Sequence, residues 1–120
     1  RTRGVVTPIY PSTCNGFTKD DHELYYPRYF NTPTQAAVAK KIASLEHGED
    51  ALVLSSGMAA ISSTLFGLLG SGDHVIFASC LYGGTSFLIS SEFKRFGIEY
   101  SLAKSNKIED LRKKLRKIQN

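Results

Sequence analysis

The stretch 51–61, Ala-Leu-Val-Leu-Ser-Ser-Gly-Met-Ala-Ala-Ile, limits the possible folds of this chain more than any other stretch. A short apolar run meets Ser-Ser-Gly, and a helical pattern follows without a gap. This order predicts a buried strand at 51–55, a tight turn and a helix N-terminus. Because a helix N-terminus presents unpaired N–H groups and a partial positive charge, a phosphate is the expected ligand in front of Gly57. Ser55 and Ser56 add hydroxyl groups there.

Apolar residues at helical spacing precede and follow this predicted strand. Apolar residues recur at helical spacing over 35–47, and we expect Thr34 to cap the N-terminus of this helix. Gly48 is expected to end it in a left-handed conformation. The helix behind the Ser-Ser-Gly turn is expected to bury one stripe of residues: Met58, Ile61, Leu65 and Leu68.

Two more strands are predicted further along the chain, at 74–78 and 98–102. A helix that ends at about Phe96, before Gly97, separates them, and a basic helix follows the second. Strands that alternate with helices favour right-handed βαβ crossovers and a parallel sheet, so the predicted fold class is α/β. Ligands of such sheets bind beyond the carboxyl ends of the strands. The loops that follow the first two strands should therefore face one crevice.

Two other motifs offer binding groups. Tyr82 follows the strand at 74–78 and precedes two glycines, so that its ring has room either to stack on a flat heterocycle or to cover the edge of the core. Tyr26 and Arg28 lie two residues apart in an extended segment. A phenol and a guanidinium at this spacing can both reach one phosphate, or they can form a rim salt bridge beside a packed aromatic ring.

The composition of the chain excludes several classes of protein. With 42% hydrophobic and 22% charged residues the chain is typical of a globular domain, and it contains neither an apolar run that could span a membrane nor a signal-peptide pattern. Cys14 and Cys80 form no disulfide framework, which favours a reducing, cytoplasmic location. The three histidines lack metal-ligand spacing, so we expect no metal. The net charge of +4 comes largely from the last helix. The basic residues of this helix form either a solvated face or a nucleic-acid-binding patch, and we favour the solvated face.

The motifs, taken in order, resemble those of the Cys/Met-metabolism group of enzymes that use pyridoxal 5'-phosphate (PLP). This trans-sulfuration group includes cystathionine γ-synthase, cystathionine lyases, methionine γ-lyase and O-acetylhomoserine sulfhydrylase. The resemblance covers residues 8 to about 98. It is carried by Pro8-Ile9-Tyr10, Tyr26-Pro27-Arg28, Ser56-Gly57-Met58 and Leu81-Tyr82-Gly83-Gly84-Thr85. The chain departs from the family pattern in an extra Thr32 and in Gly84, where some lyases have a functional cysteine.

The resemblance implies the N-terminal part of a PLP fold-type-I (aspartate-aminotransferase-like) domain. Residues 1–34 would form an extended arm that contacts a partner subunit, and residues 35–120 the first part of the large PLP-binding domain. It also implies a homodimer or homotetramer in which two subunits share each cofactor site. The roles implied for single residues are phosphate binding by Ser56, Gly57 and Met58, ring stacking and catalysis by Tyr82, and binding of the neighbouring subunit's PLP phosphate by Tyr26 and Arg28.

The implied reaction is β- or γ-elimination or γ-replacement on cystathionine, homoserine esters or related amino acids. The family's Schiff-base lysine is expected beyond Asn120, so this segment alone is expected to be inactive. The residues themselves leave another class open, a non-catalytic phosphate- or nucleotide-binding α/β module. In either case we expect a small-molecule ligand, and neither a nucleic acid nor a membrane as partner.

Overall fold

A computed structural model describes residues 5–16, 24–105 and 107–118, with side chains up to residue 115. The chain divides into two compact units, an N-terminal unit Arg1–Leu54 and a C-terminal unit Ser55–Asn120. The N-terminal unit contains a 3₁₀ turn, Pro27–Tyr29, and helix α1, Pro33–Leu45. The C-terminal unit contains α2 (Gly57–Leu68), β1 (His74–Phe77), α3 (Gly83–Glu92), a 3₁₀ turn (Phe93–Phe96), β2 (Glu99–Leu102) and α4 (Ile108–Ile118).

Helix α1 begins earlier than predicted. Its N-cap is Thr32 and not Thr34, because Pro33 occupies the first helical position, where its fixed φ and missing N–H are tolerated. The side-chain oxygen of Gln35 accepts hydrogen bonds from the backbone N–H of Thr32 (3.2 Å) and from its hydroxyl (2.8 Å). The Thr34 hydroxyl instead accepts a bond of 2.9 Å from the N–H of Tyr10. This bond ties residues near Tyr10 to the first turn of α1. The predicted division into an arm at 1–34 and a domain from residue 35 stays a prediction.

The C-terminus of α1 also differs from the prediction. The left-handed residue is His47, with φ of 56°, and not Gly48. The N–H of Gly48 donates to the carbonyl oxygen of Ala43 at 2.8 Å, which is the hydrogen bond of a Schellman motif. Because the helix ends at Leu45, the left-handed position of that motif falls one residue before the glycine.

The predicted strand at 51–55 is not formed in the described structure. Residues 51–54 have no regular secondary structure, and the side chains of Leu52 and Val53 are exposed. A strand exists only when a neighbouring strand accepts its hydrogen bonds. The prediction of a buried strand at 51–55 is therefore wrong for the described structure, because an apolar run does not specify the strand that would pair with it.

The parallel sheet is confirmed in the C-terminal unit. Strands β1 and β2 pair in parallel, with His74 opposite Glu99 and Phe77 opposite Leu102. The predicted helix between them is α3 with its following 3₁₀ turn, which ends at Gly97 with φ of 69°. An added Cβ at Gly97 would collide with the side chain of Ser71, so a glycine is required there for conformation and for space.

The core of this unit lies between α2, α3 and the two strands. Ile89, Phe93 and Ile98 are buried, and Phe93 is completely inaccessible to solvent. Leu68, predicted to be buried, is 78% exposed. Leu65 of the predicted stripe packs against this core, together with two residues outside that stripe, Phe66 and Leu69. Within the described residues, none of the helices has both the length and the apolar character needed to cross a membrane.

Candidate functional site

The N-terminus of α2 leaves two amides available to a ligand. Ser56 is the N-cap, and its Oγ accepts a hydrogen bond of 3.0 Å from the N–H of Ala59. Its carbonyl oxygen accepts the first intrahelical bond, from Ala60 at 3.0 Å. In the described part of the chain, no group accepts from the N–H of Gly57 or of Met58. These two donors, together with the positive end of the helix dipole, are suited to an anion.

Gly57 leaves open space in front of these amides. A Cβ built on Gly57 would meet no atom within 4 Å, and the φ angle lies outside the left-handed region. Neither the backbone conformation nor the packing within the unit therefore requires a glycine at this position. Close approach of a ligand to the backbone is a physical reason for one.

Tyr82 is the last residue of the loop between β1 and α3, which is the second loop of the site. It is the N-cap of α3, makes no capping hydrogen bond with its side chain, and is 72% exposed. A Cβ on Gly84 would lie 2.8 Å from Cε1 of Tyr82 and 3.0 Å from Sδ of Met58. The structure thus brings the ring of Tyr82 and the side chain of Met58 together above the backbone of Gly84. The predicted proximity of the two loops is found here.

Thr85 holds the other side of Met58. It is buried, with 6% of its surface exposed, and its hydroxyl donates to the thioether sulfur of Met58 at 3.9 Å. We call Met58, Gly84 and Thr85 the Tyr82 seat. The sequence analysis gave Met58 a role only through its backbone, and it gave Thr85 none. The run Tyr82-Gly83-Gly84-Thr85 was the signal that could have drawn attention to this part of the site.

Tyr26 and Arg28 lie in the N-terminal unit, on and beside the 3₁₀ turn. The N–H of Tyr26 donates to Oδ1 of Asn31 at 2.9 Å, and Nδ2 of Asn31 donates to the carbonyl oxygen of Leu24 at 2.7 Å. The ring of Tyr26 packs edge-on against Tyr29, with centroids 5.3 Å apart. Arg28 is exposed and pairs with none of the carboxylates that the structure describes. A phosphate-binding role for this pair stays a prediction.

The sequence model of one protein family, described as Cys/Met metabolism PLP-dependent enzyme, matches this chain over residues 1–119. The chain belongs to this family. The predicted family and its cofactor, PLP, are therefore confirmed. Among curated relatives, an L-methionine gamma-lyase of Fusobacterium nucleatum is 39% identical over 84% of this chain and 25% of its own length. A cystathionine beta-lyase of Bacillus subtilis is 41% identical over 83% of this chain and 26% of its own.

Solved structures support the predicted fold class of this family member. A cystathionine gamma-lyase of Lactobacillus plantarum, determined with L-serine, matches 88% of this chain with a TM-score of 0.77 and 35% sequence identity. The match covers 27% of that chain. The family member described here thus has the α/β fold of the N-terminal part of PLP fold-type-I enzymes, and it spans about a quarter of the length of the relatives it matches.

The residues fit the cofactor of the family. Free amides at Gly57 and Met58 suit a phosphate group, and the exposed ring of Tyr82 suits a flat pyridine. The open space at Gly57 leaves room for such a group to approach the backbone. Within the described residues, no cluster of three or more His, Cys, Asp or Glu side chains is arranged to hold a metal ion.

Proposed function

We propose that this chain is the N-terminal part of a PLP-dependent enzyme of sulfur amino-acid metabolism. The proposed reaction is β- or γ-elimination or γ-replacement on cystathionine, homoserine esters or related amino acids. The family match and the names of the relatives support this class of reaction. One observation carries the proposal, the pair of unoccupied amide donors beside an open glycine at the start of α2.

In this proposal the start of α2 binds the phosphate of PLP. The N–H groups of Gly57 and Met58 donate to phosphate oxygens. The hydroxyl of Ser56 already accepts from Ala59, so its own proton is available to donate to the same phosphate. Bound PLP supplies an electron sink that stabilises negative charge at the substrate Cα.

We assign two tasks to Tyr82. Its ring stacks on the pyridine of PLP, which orients the cofactor relative to the phosphate-binding helix. Its phenol Oη holds or delivers a proton at the leaving group of the amino-acid substrate. The exposure of this side chain and the contact that holds one ring edge at Gly84 support both tasks.

We further propose a homodimer, paired again as a homotetramer, in which Tyr26 and Arg28 bind the phosphate in the neighbouring subunit. The exposure of both side chains supports this arrangement. We also propose a cytoplasmic location, supported by the free, exposed thiols of Cys14 and Cys80. The 120-residue segment by itself is proposed to be inactive, since it spans about a quarter of its relatives.

Two alanine substitutions in one helix test the phosphate site in the full-length enzyme. Gly57 and Gly67 both lie in α2, and an added Cβ meets no atom within 4 Å at either position. Gly57→Ala fills the space in front of the amides, so the dissociation constant of PLP should rise about tenfold or more. Gly67→Ala should leave it unchanged. Equal PLP affinities in both variants would contradict the assignment of the phosphate to this helix.

Mixed subunits test the shared site. Coexpressed Arg28→Ala and Gly57→Ala subunits form mixed dimers with one site in which both residues are intact, provided that Arg28 acts across the interface. Activity should then return above that of either variant alone. If Arg28 acts within its own subunit, both sites of a mixed dimer are defective and no activity returns.

The reaction itself is read from the products. Elimination from cystathionine or a homoserine ester releases the leaving group (a thiol or a carboxylate), a 2-oxo acid and ammonia. Replacement exchanges that leaving group for an added thiol or sulfide, which gives a thioether or thiol amino acid without a 2-oxo acid. A full-length protein that binds PLP and inorganic phosphate with similar affinity, and that forms neither product, would favour a non-catalytic phosphate-binding module.

A further inference from the structure

We propose that the outer edge of β2 is a docking groove for an extended peptide segment of a partner protein. The segment adds to the sheet as an antiparallel strand, with its C-terminal carboxylate beside Lys94. The groove goes beyond the proposed function and shares no residue with the start of α2 or with the Tyr82 seat. It begins at the amino end of β2, whereas Tyr82 follows the carboxyl end of β1, so the two sites lie toward opposite ends of the parallel strands.

The outer edge of β2 carries a row of main-chain groups that are open to a ligand. In the parallel ladder the N–H of Glu99 donates to the carbonyl oxygen of Asp73 at 2.8 Å. Because alternate residues of a strand direct their main-chain groups to opposite sides, those of Tyr100 and Leu102 point away from β1. Among the described residues, none forms a hydrogen bond with these four groups. An extended chain is the ligand whose N–H and C=O groups have the matching spacing.

A cavity of about 440 Å³ adjoins this edge, between β2 and the end of α3. Its volume lies within the range of about 300–1,000 Å³ that is usual for ligand sites. The lining includes the buried side chains of Ile89 and Ile98 and the half-exposed side chain of Tyr100. The ring of Tyr100 packs edge-on against Phe93, with centroids 6.0 Å apart, so the core holds this wall in place. The row of main-chain groups therefore has an apolar recess for a side chain beside it.

Lys94 supplies the charge that sets the direction of the peptide. It lies in the 3₁₀ turn that precedes β2, lines the same cavity and is exposed. Of the carboxylates that the structure describes, none pairs with its ammonium group, whereas the neighbouring Arg95 forms an ion pair of 2.9 Å with Glu92. An antiparallel peptide runs toward the amino end of β2. Its C-terminal carboxylate therefore arrives beside Lys94, where opposite charges attract.

The path of the chain after β2 leaves this edge uncovered. Helix α4 follows β2 and contacts β1, so the chain returns across the sheet, away from the outer edge of β2. A second copy of this chain suits the groove less well than a separate peptide does. Antiparallel pairing of two β2 strands would bring the basic end of one strand, which continues into Lys104, toward Lys94 of the other.

The first experiment uses the full-length holoenzyme and a probe peptide, fluorescein-Val-Thr-Val-Leu, with either a free C-terminal carboxylate or a C-terminal amide. The probe has no free amine that could react with PLP, so its fluorescence anisotropy reports binding outside the cofactor. The carboxylate form should bind about twofold to fivefold more tightly than the amide, as expected for a partly exposed ion pair. Lys94→Gln should abolish this difference. Arg95→Gln, on the same turn, is the matched control and should preserve it.

Two substitutions at Leu102 test the main-chain hydrogen bonds. Leu102→Ala and Leu102→Pro both remove the leucine side chain, but only proline also removes the outward N–H. Proline is tolerated at an edge position whose N–H faces solvent, so the two variants should have similar kcat and melting temperature. Leu102→Pro should bind both forms of the probe about fivefold more weakly than Leu102→Ala, the value of one hydrogen bond.

Three results would overturn the proposal. The first is that neither form of the probe binds the wild type at millimolar concentration. The second is a preference for the carboxylate that survives Lys94→Gln, or equal binding by the two Leu102 variants. The third is self-association of the wild type in sedimentation that Leu102→Pro abolishes, which would assign the edge to a second copy. These results are independent of PLP binding and turnover, whose absence would instead overturn the proposed function.

Discussion

In the C-terminal unit, Phe93 is completely buried among aromatic rings, whereas the N-terminal unit buries only Thr32 and Ala43 among its described residues. The ring centroids of Phe77 and Tyr100 lie 5.9 and 6.0 Å from that of Phe93. In the N-terminal unit the side chain of Asn31 instead accepts one backbone hydrogen bond and donates another, and the side chain of Gln35 donates to the carbonyl oxygen of Pro27. Apolar packing stabilises the folded state but is not directional. Hydrogen bonds are directional and fix local geometry, but each adds only a small net amount to the free energy of unfolding. The two units are therefore expected to have different sensitivities to substitution.

The largest expected effect is the loss of the aromatic core. Phe93→Ala in the full-length protein should lower the apparent free energy of unfolding by about 3–5 kcal/mol, because it leaves a cavity among the neighbouring rings. Phe93→Leu keeps most of the apolar volume and should cost clearly less. Denaturant unfolding measures both values. Equal losses in the two variants would show that volume at this position does not determine stability.

An intermediate effect is expected at Asn31 in the N-terminal unit. Asn31→Ala removes two hydrogen bonds, each worth about 1 kcal/mol, to the N–H of Tyr26 and the carbonyl oxygen of Leu24. Hydrogen–deuterium exchange should become faster in peptides covering 24–35 and stay unchanged in those covering β1 and β2. Asn31→Asp keeps the acceptor for the N–H of Tyr26 and should show a smaller change. Faster exchange throughout both units would mean that their stabilities are not separate.

The smallest effect on stability is expected at the cap of α2. Ser56→Ala should cost about 1 kcal/mol, because the N–H of Ala59 loses its acceptor, while Ser55→Ala at the exposed neighbouring position is the control. Ser56→Asp keeps a capping oxygen but places a negative charge beside the proposed phosphate. It should therefore preserve the melting temperature and weaken PLP binding. Unchanged PLP affinity in Ser56→Asp would indicate that no phosphate lies at this cap.

Local signals in the sequence were sufficient for much of the C-terminal unit. A serine before a helical pattern predicts the start of α2, and the strand at 74–78 and the helix stop at Gly97 follow from equally local patterns. The parallel pairing of β1 and β2 follows because a helix separates them. At the site, the same local signals located Ser56, Gly57 and Tyr82.

Features that depend on distant residues or on competing caps could not be predicted in this way. The strand expected at 51–55 needs a pairing partner that an apolar run does not specify. Thr32 and Thr34 both suit an N-cap, and the Thr-Pro-Thr-Gln order, with a capping box to Gln35, was the overlooked signal. The hydrogen bond from Thr85 to the sulfur of Met58 joins residues that are 27 positions apart in sequence, so only the fold brings it about.

The core described above also has a consequence for how the chain folds during synthesis. Every residue that surrounds Phe93 lies between Leu65 and Tyr100, so the contacts close short loops at low entropic cost. We therefore expect a nascent chain to complete this core once β2 has left the ribosome, while the residues that follow it are still in the exit tunnel. The aromatic cluster is then expected to be an early folding nucleus of the C-terminal unit.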